Sequence, residues 1–415
     1  MPADWWTVLD DPGLNELIGE AFERNLRLEA AWERLRAARS LTRREASAFF
    51  PDLEGFLQAE ASSGDDRQSD GDQFGGGLLA SYELDLWGRI RSSVAAERFR
   101  ADAVESDFQS TALALSGDVA LAWYRLVESE NSIRLLEAQV AANEKLLESL
   151  KSRFRGGQVR GVDILRQQQL LEATRERLIV VTSERALLRH QLALLLGRIP
   201  QRAPDARDED LPALPPLPAT GLPAELVLRR PDLQSAYRVL QAADRDLATA
   251  VSNRFPRLNL TAGLTSRSED ASDLFDDWAR SIGAELIGPI VDGGERRAEV
   301  ERTRAIMRQR LAEFGQASLE AFREVEDALA REGRQRERLS SLRRQVDLQR
   351  AAYEQLQSEF FNGVAGFIDL LTALTETQQL QRDLIVEERL LVESRIALYR
   401  ALAGPVPLPE EPFQP

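Results

Sequence analysis

The chain of 415 residues contains no cysteine and a single histidine, so disulfides, thiolate metal sites and thiol nucleophiles are excluded. Its 53 basic and 68 acidic residues give a net charge of −15. Nucleic-acid binders usually present a basic face, so nucleic acid is not expected as a partner. Gly156-Gly157 lacks the Lys-Ser/Thr of a phosphate loop, and His190 lacks a glutamate at metal-motif spacing. The sequence therefore predicts neither an enzyme nor a cofactor.

Long apolar runs are also missing. No stretch of eighteen or more apolar residues occurs, so the sequence encodes no transmembrane helix. The first six residues have neither the basic start nor the apolar segment of a signal peptide. We therefore expect either a cytosolic protein or one whose export segment lies upstream of this sequence.

The sequence does contain a long internal repeat. FRGGQVRGVDIL at 154–165 matches FFNGVAGFIDLL at 360–371, with an offset of 206 residues that relates Asp163 to Asp369. The same offset relates Gly88 to Gly294. This period far exceeds that of a solenoid unit, so it predicts two copies of one large module.

Apolar spacing and period-two alternation predict the same order of elements in both copies. The first repeat, 1–197, is predicted as a helix at 14–49, strands at 52–61 and 74–87, and helices at 88–155 and 162–196. A proline-rich linker is predicted at 198–223. The second repeat, 224–403, is predicted as a helix at 231–255, strands at 257–266 and 278–287, helices at 294–360 and 367–403, and a tail at 404–415. Polar loops at 62–73 and 266–277 would join the strands.

The longest predicted helix has the apolar pattern of a coiled-coil seam. Its residues recur every seven positions at Val119, Leu126, Ile133, Val140, Leu147 and Phe154. At 1.5 Å per residue, helix 88–155 is about 100 Å long, and helices 14–49 and 162–196 are about 50 Å each. Two short helices end to end therefore match one long helix, which predicts four helical staves per chain.

The predicted strands have about ten residues, which is the length that a tilted strand needs to cross a bilayer. Four strands cannot close a barrel, and open strand edges are not tolerated in hydrocarbon. The chain must then oligomerise if the strands enter a membrane. Two copies would give eight strands with a filled interior, so a conducting tube needs at least three.

Several short segments resemble the TolC-like outer membrane efflux proteins, in particular the lipoprotein branch that serves RND pumps. They are WW at 5–6, DDP at 10–12, YELDLWGR at 82–89, RRPD at 229–232, FP at 255–256, GPIVDGG at 288–294 and the two glycine-rich turns. Their order and spacing cover nearly the whole chain. The lipid-bearing cysteine of this branch is absent, so lipidation is expected only for a longer precursor.

The resemblance implies a mostly α fold with β strands: a homotrimer whose twelve-stranded outer-membrane β-barrel is continuous with a barrel of twelve helical staves in the periplasm. The strand loops would face outside the cell. The partners it implies are outer-membrane lipid, a periplasmic adaptor protein and, through the adaptor, an inner-membrane RND pump.

The resemblance also assigns candidate site residues. Asp163, Asp369 and Thr372 would lie at the periplasmic entrance, with Thr372 replacing the second aspartate of an Asp-x-x-Asp pattern. The turns that meet the adaptor would contain Gly156, Gly157, Gly161, Gly363 and Gly366. Both aspartates have an alternative role, because a carboxylate stabilises the first turn of a helix.

These inferences favour an outer-membrane channel that passively conducts small molecules for a tripartite efflux system. Its entrance would be held shut by contacts between helices until a partner favours the open packing. Two alternatives remain open at this point. One is a soluble coiled-coil scaffold, and the other is an outer-membrane conduit for protein secretion.

Overall fold

A computed structural model describes residues 3–62, 71–206, 210–218 and 229–408 together with Phe413. Its α-helices are α1 Pro12–Arg24, α2 Leu26–Ala46, α3 Arg89–Arg155, α4 Gly161–Leu195, α5 Pro231–Ser252, α6 Glu295–Phe361 and α7 Phe367–Leu402. Its strands are β1 Asp52–Ser62, β2 Gly71–Leu84, β3 Arg257–Ser268 and β4 Ala279–Ile287. Among the described residues, no helix is long and apolar enough to cross a membrane.

The chain divides into two compact units. The helical unit consists of Met1–Trp32, Phe108–Pro231 and Leu319–Pro415. The sheet unit consists of Glu33–Asp107 and Asp232–Ser318. Each unit draws on both repeats, so neither repeat forms a compact unit by itself.

The sheet unit contains one antiparallel sheet with the strand order β1-β2-β3-β4. Leu57 pairs with Gly76 between β1 and β2, and Leu78 pairs with Leu264 between β2 and β3. Within the described part of the chain, β1 and β4 have no strand on their outer sides. The sheet therefore offers two unpaired edges, as the four-strand prediction requires.

In the helical unit the amino-terminal segment is anchored by tryptophan. Trp5 is fully buried, and its Nε1 donates to the Ser116 hydroxyl at 3.1 Å. Asp11 begins α1 by accepting the backbone N–H of Leu14 at 2.9 Å, and it also accepts the Trp123 Nε1–H at 2.9 Å. A capping side chain that also binds α3 fixes both the start and the position of α1.

The predicted helix at 14–49 is wrong as a single helix, because it is interrupted at Asn25. Asn25 has an extended backbone, and its Oδ1 accepts the N–H groups of Arg27 and Leu28 at 3.0 and 3.1 Å. Its amide also donates to the Leu195 carbonyl at 2.8 Å. Asn25 thus caps α2 and joins it to the end of α4. The stretch after Ala46 is a 3-10 turn rather than α-helix.

Other boundaries differ from the sequence expectation by a few residues. β2 ends at Leu84 rather than at 87, and β3 continues to Ser268, so the predicted loop at 266–277 begins later. Helix α5 ends at Ser252, three residues before the predicted end at 255. Most of the predicted loop at 62–73, parts of the linker at 198–223, the start of the second repeat at 224 and parts of the tail lie outside the described residues.

The predicted seam of α3 is buried at Val119, Leu126 and Leu147, but Phe154 is 48% exposed. Its repeat counterpart Phe360 is only 5% exposed. Phe360 occupies the buried position at the ends of the helices, so the seam prediction fails at Phe154.

Two repeat-related arginines hold the described part of the linker against the helices. Arg189 donates to the Pro204 carbonyl at 3.1 Å, and Arg395, at an offset of 206 residues, donates to the Pro215 carbonyl at 2.7 Å. Arg395 and Glu332 are both fully buried and form a pair at 2.6 Å. Burial of a guanidinium is tolerated when charged and polar partners satisfy it on several sides. Here the buried guanidinium of Arg395 binds both Glu332 and the linker, and so fixes the linker against the helices.

Candidate functional site: two helical turns and an exposed sheet face

The two turns that end α3 and α6 have the same backbone geometry. Gly157 has φ +71°, the Gln158 N–H donates to the Arg153 carbonyl at 2.9 Å, and the Gly157 N–H donates to Phe154 at 2.9 Å. In the second turn Gly363 has φ +78°, and the Val364 N–H donates to the Glu359 carbonyl at 2.8 Å. Both are Schellman turns, in which a left-handed residue closes the helix.

The five glycines predicted for these turns have different roles. Only Gly157 and Gly363 adopt the left-handed conformation that favours glycine. Gly161 is the first residue of α4, and the residue that caps this helix is Arg160, whereas Gly366 caps α7.

Asp163 is buried and engaged with its own helix. Its Oδ2 accepts the backbone N–H of Arg160 at 3.1 Å, and the Arg160 guanidinium lies 3.3 Å from both carboxylate oxygens. Arg166 approaches Oδ1 at 3.9 Å. The side chain of Asp163 is only 5% exposed. This geometry supports the helix-start role rather than a free carboxylate at an entrance.

Asp369, the repeat counterpart, is exposed instead. Among the residues that the structure describes, no side chain forms a hydrogen bond or ion pair with its carboxylate. Thr372 is also exposed, and its hydroxyl donates to the Ile368 carbonyl of the same helix at 2.9 Å. Asp369 therefore presents, in the first turn of α7, a negative charge that has no cationic side-chain partner among the described residues.

The difference between the two aspartates has a simple cause. At the repeat offset of 206 residues, Arg160 corresponds to Gly366 and Arg166 corresponds to Thr372. Both arginines that compensate Asp163 are thus missing around Asp369. The loss of both arginines is visible in the sequence once the neighbours of the two aspartates are compared at the repeat offset.

An apolar cluster joins the ends of the two helical hairpins, α3–α4 and α6–α7. Its buried residues are Leu146, Leu150, Phe360, Phe367, Leu370 and Leu374. Arg153 adds a polar link, because its Nη2 donates to the Phe361 carbonyl at 3.0 Å while its guanidinium lies 4.8 Å from the Phe361 ring centre. Burial and a cation–π contact thus hold the hairpin ends together. Sequence reasoning missed Arg153.

Further along the same helices lies a buried polar layer that the sequence did not reveal. The Asn143 side chain donates to the Thr174 hydroxyl at 3.1 Å and accepts from the Gln378 amide at 3.1 Å. Gln167 donates to the Asn143 carbonyl at 3.2 Å. A polar layer in a helical core favours one register of the helices, because any slip leaves buried groups unpaired.

In the sheet unit, one face of the sheet is apolar and exposed. Strand registers place Leu57, Leu78, Leu264 and Ile282 on this face, and Ile282 is 94% exposed. The remaining large apolar residues of this face are Leu53, Phe74, Tyr82, Leu84, Leu258, Leu260 and Leu286. Exposed apolar area of this extent indicates contact with lipid or with another protein.

The opposite face of the sheet carries its acidic residues, including Glu54, Glu83 and Glu285. Most of the charged side chains of the sheet therefore lie on the face opposite the apolar one, although Arg280 lies beside Leu264 on the apolar face. This separation is typical of strands between lipid and water.

Exposed aromatic residues mark both ends of the sheet. At the end where β3 starts, Trp87 stacks on Phe255 at 4.9 Å, and its Nε1 donates to the Pro256 carbonyl at 2.7 Å. At the other end Phe275 stacks on Trp278 at 6.1 Å. All four rings are exposed. Aromatic residues at both ends of an apolar band are typical of proteins at the two membrane interfaces.

A family model described as outer membrane efflux protein matches residues 17–198 and 222–404 of the chain. The chain belongs to the outer membrane efflux protein family. This efflux protein is 32% identical over 407 residues to the solvent efflux pump outer membrane protein SrpC of Pseudomonas putida, which covers 95% of this chain and 86% of that protein. It is 30% identical over 420 residues to the pyoverdine export outer membrane protein OpmQ of Pseudomonas aeruginosa, covering 96% and 87%.

The fold of this efflux protein is also that of a solved outer-membrane channel. The structure of the channel OprN superimposes with a TM-score of 0.90 at 29% identity, covering 97% of this chain and 93% of that chain. The sequence-derived resemblance to TolC-like efflux proteins and the mostly helical fold with few strands are thereby confirmed.

Proposed function

We propose that this chain is the outer-membrane channel of a tripartite efflux system. Three copies combine their strands into a twelve-stranded barrel and their helices into a twelve-stave periplasmic barrel, through which small molecules pass without any bond being made or broken. The observation that carries this proposal is the exposed apolar face of the sheet, flanked by aromatic residues at both ends.

The strand edges support the oligomer. β1 and β4 carry unpaired backbone groups in the described chain, and Leu57 and Ile282 on these strands are 76% and 94% exposed. Unpaired backbone groups cost several kcal/mol each in hydrocarbon, so lipid requires that the edges be paired. Pairing β1 of one copy with β4 of the next closes the sheet. Three copies give the smallest closed sheet with an open interior.

The helical hairpins support the partners. Both hairpins end in exposed turns, and Val364 at the second turn is 77% exposed. An apolar side chain at a helix tip is suited to contact with another protein. We assign these turns to a periplasmic adaptor and, through it, an inner-membrane pump. We place Asp369 and Thr372 at the entrance and give Asp163 the supporting role of holding the first turn of α4.

The names of the relatives favour efflux over protein secretion, since SrpC is named for solvent efflux and OpmQ for pyoverdine export. A soluble coiled-coil scaffold would not explain the exposed apolar face of the sheet or the aromatic residues at its two ends. The cargo class we propose is therefore small molecules.

Cysteine cross-linking tests the proposed trimer, and the chain has no cysteine of its own to interfere. The double variant Leu57→Cys/Ile282→Cys, exported behind a bacterial signal peptide, is treated with a bismaleimide in outer membranes. We expect covalent species of two and three chains and nothing larger, because β1 and β4 meet only between copies.

The control is Leu78→Cys/Leu264→Cys, since these residues pair directly within one sheet. It should cross-link within the chain and migrate as one chain. If the edge variant also remains a single chain, or forms an open-ended ladder, the closed trimer is wrong.

A further inference from the structure

The two hairpin ends carry opposite net charge. Residues 145–175, around the first turn, contain seven basic and three acidic side chains, a net charge of +4. The repeat-equivalent residues 351–381 contain four acidic side chains and no basic one, a net charge of −4. Two copies of one module have thus become electrostatic opposites at their ends.

The opposite net charges arise because the basic residues of the first segment are replaced in the second, while most of the acidic residues are kept. All seven basic positions within 145–175 have lost their charge or reversed it within 351–381: Lys145/Ala351, Lys151/Gln357, Arg153/Glu359, Arg155/Phe361, Arg160/Gly366, Arg166/Thr372 and Arg175/Gln381. Two of the three acidic positions are retained, as Glu148/Glu354 and Asp163/Asp369.

Some of these charges point away from the other hairpin of the same chain. Leu150 is fully buried in the cluster that joins the hairpins, and Lys145 lies about 140° from it around α3. Phe360 belongs to the same cluster, and Glu354 lies about 120° from it around α6. Lys145 and Glu354 are both exposed, and neither has an ion-pair partner among the described residues.

Lys145 and Glu354 also lie at similar heights on their hairpins. The repeat offset makes Lys145 equivalent to Ala351, which precedes Glu354 by three residues in α6. Three helical residues correspond to about 4.5 Å along the axis. The two charges are therefore positioned to meet when a first hairpin stands beside a second hairpin of another copy.

We infer that the basic outer face of the first hairpin of one copy docks against the acidic outer face of the second hairpin of the next copy. This inference rests on the proposed trimer. In a ring of three chains with two hairpins each, the signs alternate around the ring, so that every hairpin has only opposite neighbours. Such a head-to-tail contact is heterologous and closes after three copies.

The alternation makes the closed entrance sensitive to salt. Screening is weak at 0.1 M salt, where the Debye length is about 10 Å, and strong at 1 M, where it is about 3 Å. Attraction between neighbouring hairpins draws the tips together at low salt. High salt, or a reversed charge on one side, weakens that attraction and favours opening.

The test is the open probability of the purified full-length protein in planar lipid bilayers, corrected for the bulk conductivity of each solution. At about 0.1 M salt, Lys145→Glu and Glu354→Lys should each raise the open probability at least about threefold, since three exposed pairs are lost per ring. The double variant Lys145→Glu/Glu354→Lys should return to the wild-type value. At about 1 M salt the four proteins should converge.

Arg323→Glu is the matched control, because Arg323 is exposed on α6 and lies about 57 Å from the end of that helix. It should leave the open probability unchanged. If conducting three-chain pores form but neither salt nor the charge variants alter opening, the inference is wrong while the proposed channel stands. If the wild-type protein forms no three-chain pore at any salt concentration, both fail.

Discussion

The contrast between Asp163 and Asp369 leads to a prediction that separates a structural carboxylate from a functional one. Asp163→Ala removes the acceptor of the Arg160 backbone N–H, bound at 3.1 Å, and two contacts at 3.3 Å to the Arg160 guanidinium. Asp369→Ala removes no hydrogen bond or ion pair among the described residues. The two substitutions are chemically identical and occupy equivalent positions of the repeat.

The expected magnitudes follow from these contacts. Loss of a helix-capping carboxylate costs about 0.5–2 kcal/mol. Loss of the contact with the exposed Arg160 guanidinium adds about 0.2–1 kcal/mol. We therefore expect Asp163→Ala to destabilise the first turn by about 1–3 kcal/mol, whereas an exposed substitution such as Asp369→Ala stays within about 0.5 kcal/mol.

Amide hydrogen exchange measured by mass spectrometry resolves the two turns separately in the assembled protein. Because about 1.4 kcal/mol is a factor of ten, Asp163→Ala should accelerate exchange at 156–164 by about 5- to 150-fold. Asp369→Ala should change exchange at 362–370 by less than about threefold.

Bilayer conductance gives the complementary readout. Asp369→Ala should lower the preference for cations, because it removes an exposed negative charge at the proposed entrance. Asp163→Ala should alter ion selectivity less than Asp369→Ala, since the Asp163 carboxylate is only 5% exposed. Equal acceleration of exchange in both variants, or a selectivity change with Asp163→Ala alone, would refute the division of roles.

Two further predictions concern buried charges in the helical unit. Arg395→Met leaves Glu332 fully buried without its main partner and should destabilise the unit by about 3–5 kcal/mol, whereas Arg395→Met/Glu332→Met should recover most of that loss in thermal unfolding; a double variant as unstable as the single one would contradict this. Burial raises the pKa of Glu128, with the charges of Glu184 and Glu393 adding to the rise, although the Ser132 hydroxyl and Arg389 oppose it. The folded state then holds the proton more tightly than the unfolded chain does. The contribution of Glu128 to stability therefore increases as the pH falls from the raised pKa to the ordinary value near 4.5. As the pH rises through the raised pKa, this contribution is lost. Glu128→Gln should therefore unfold at a higher temperature than wild type at about pH 7 and at a similar temperature at about pH 4, and a lower unfolding temperature at about pH 7 would show that the Arg389 contact outweighs burial.

Much of the fold could be predicted because it depends on local periodicity. The long helices were placed within one residue of α3 Arg89–Arg155 and α6 Glu295–Phe361, since glycines flank both. The failures occurred where a side chain acts across the fold. Asn25 breaks a helix-compatible sequence because it caps α2 and binds the end of α4, and no spacing rule along the chain reports such a contact.

The candidate site was predicted only in part for the same reason. The glycine turns were visible in the sequence, because a left-handed residue after a helix requires little more than glycine. The repeat alignment shows that the arginines near Asp163 are lost near Asp369. Only the structure shows that Arg160 and Arg166 reach the Asp163 carboxylate. Arg153 was missed because its partners, the Phe361 carbonyl and ring, are 208 residues away in the chain.

The order of amino acids alone determined the duplicated module, its helices and alternating strands, and the opposite charges of its two ends, because periodicity and charge are properties of the chain itself. The tertiary structure decided that Asp163 is enclosed by arginines while Asp369 faces outward, that the linker is held by Arg189 and Arg395, and that the apolar side of the sheet is exposed between aromatic borders. These features depend on burial and on which distant groups meet, and burial is defined only once the chain has folded.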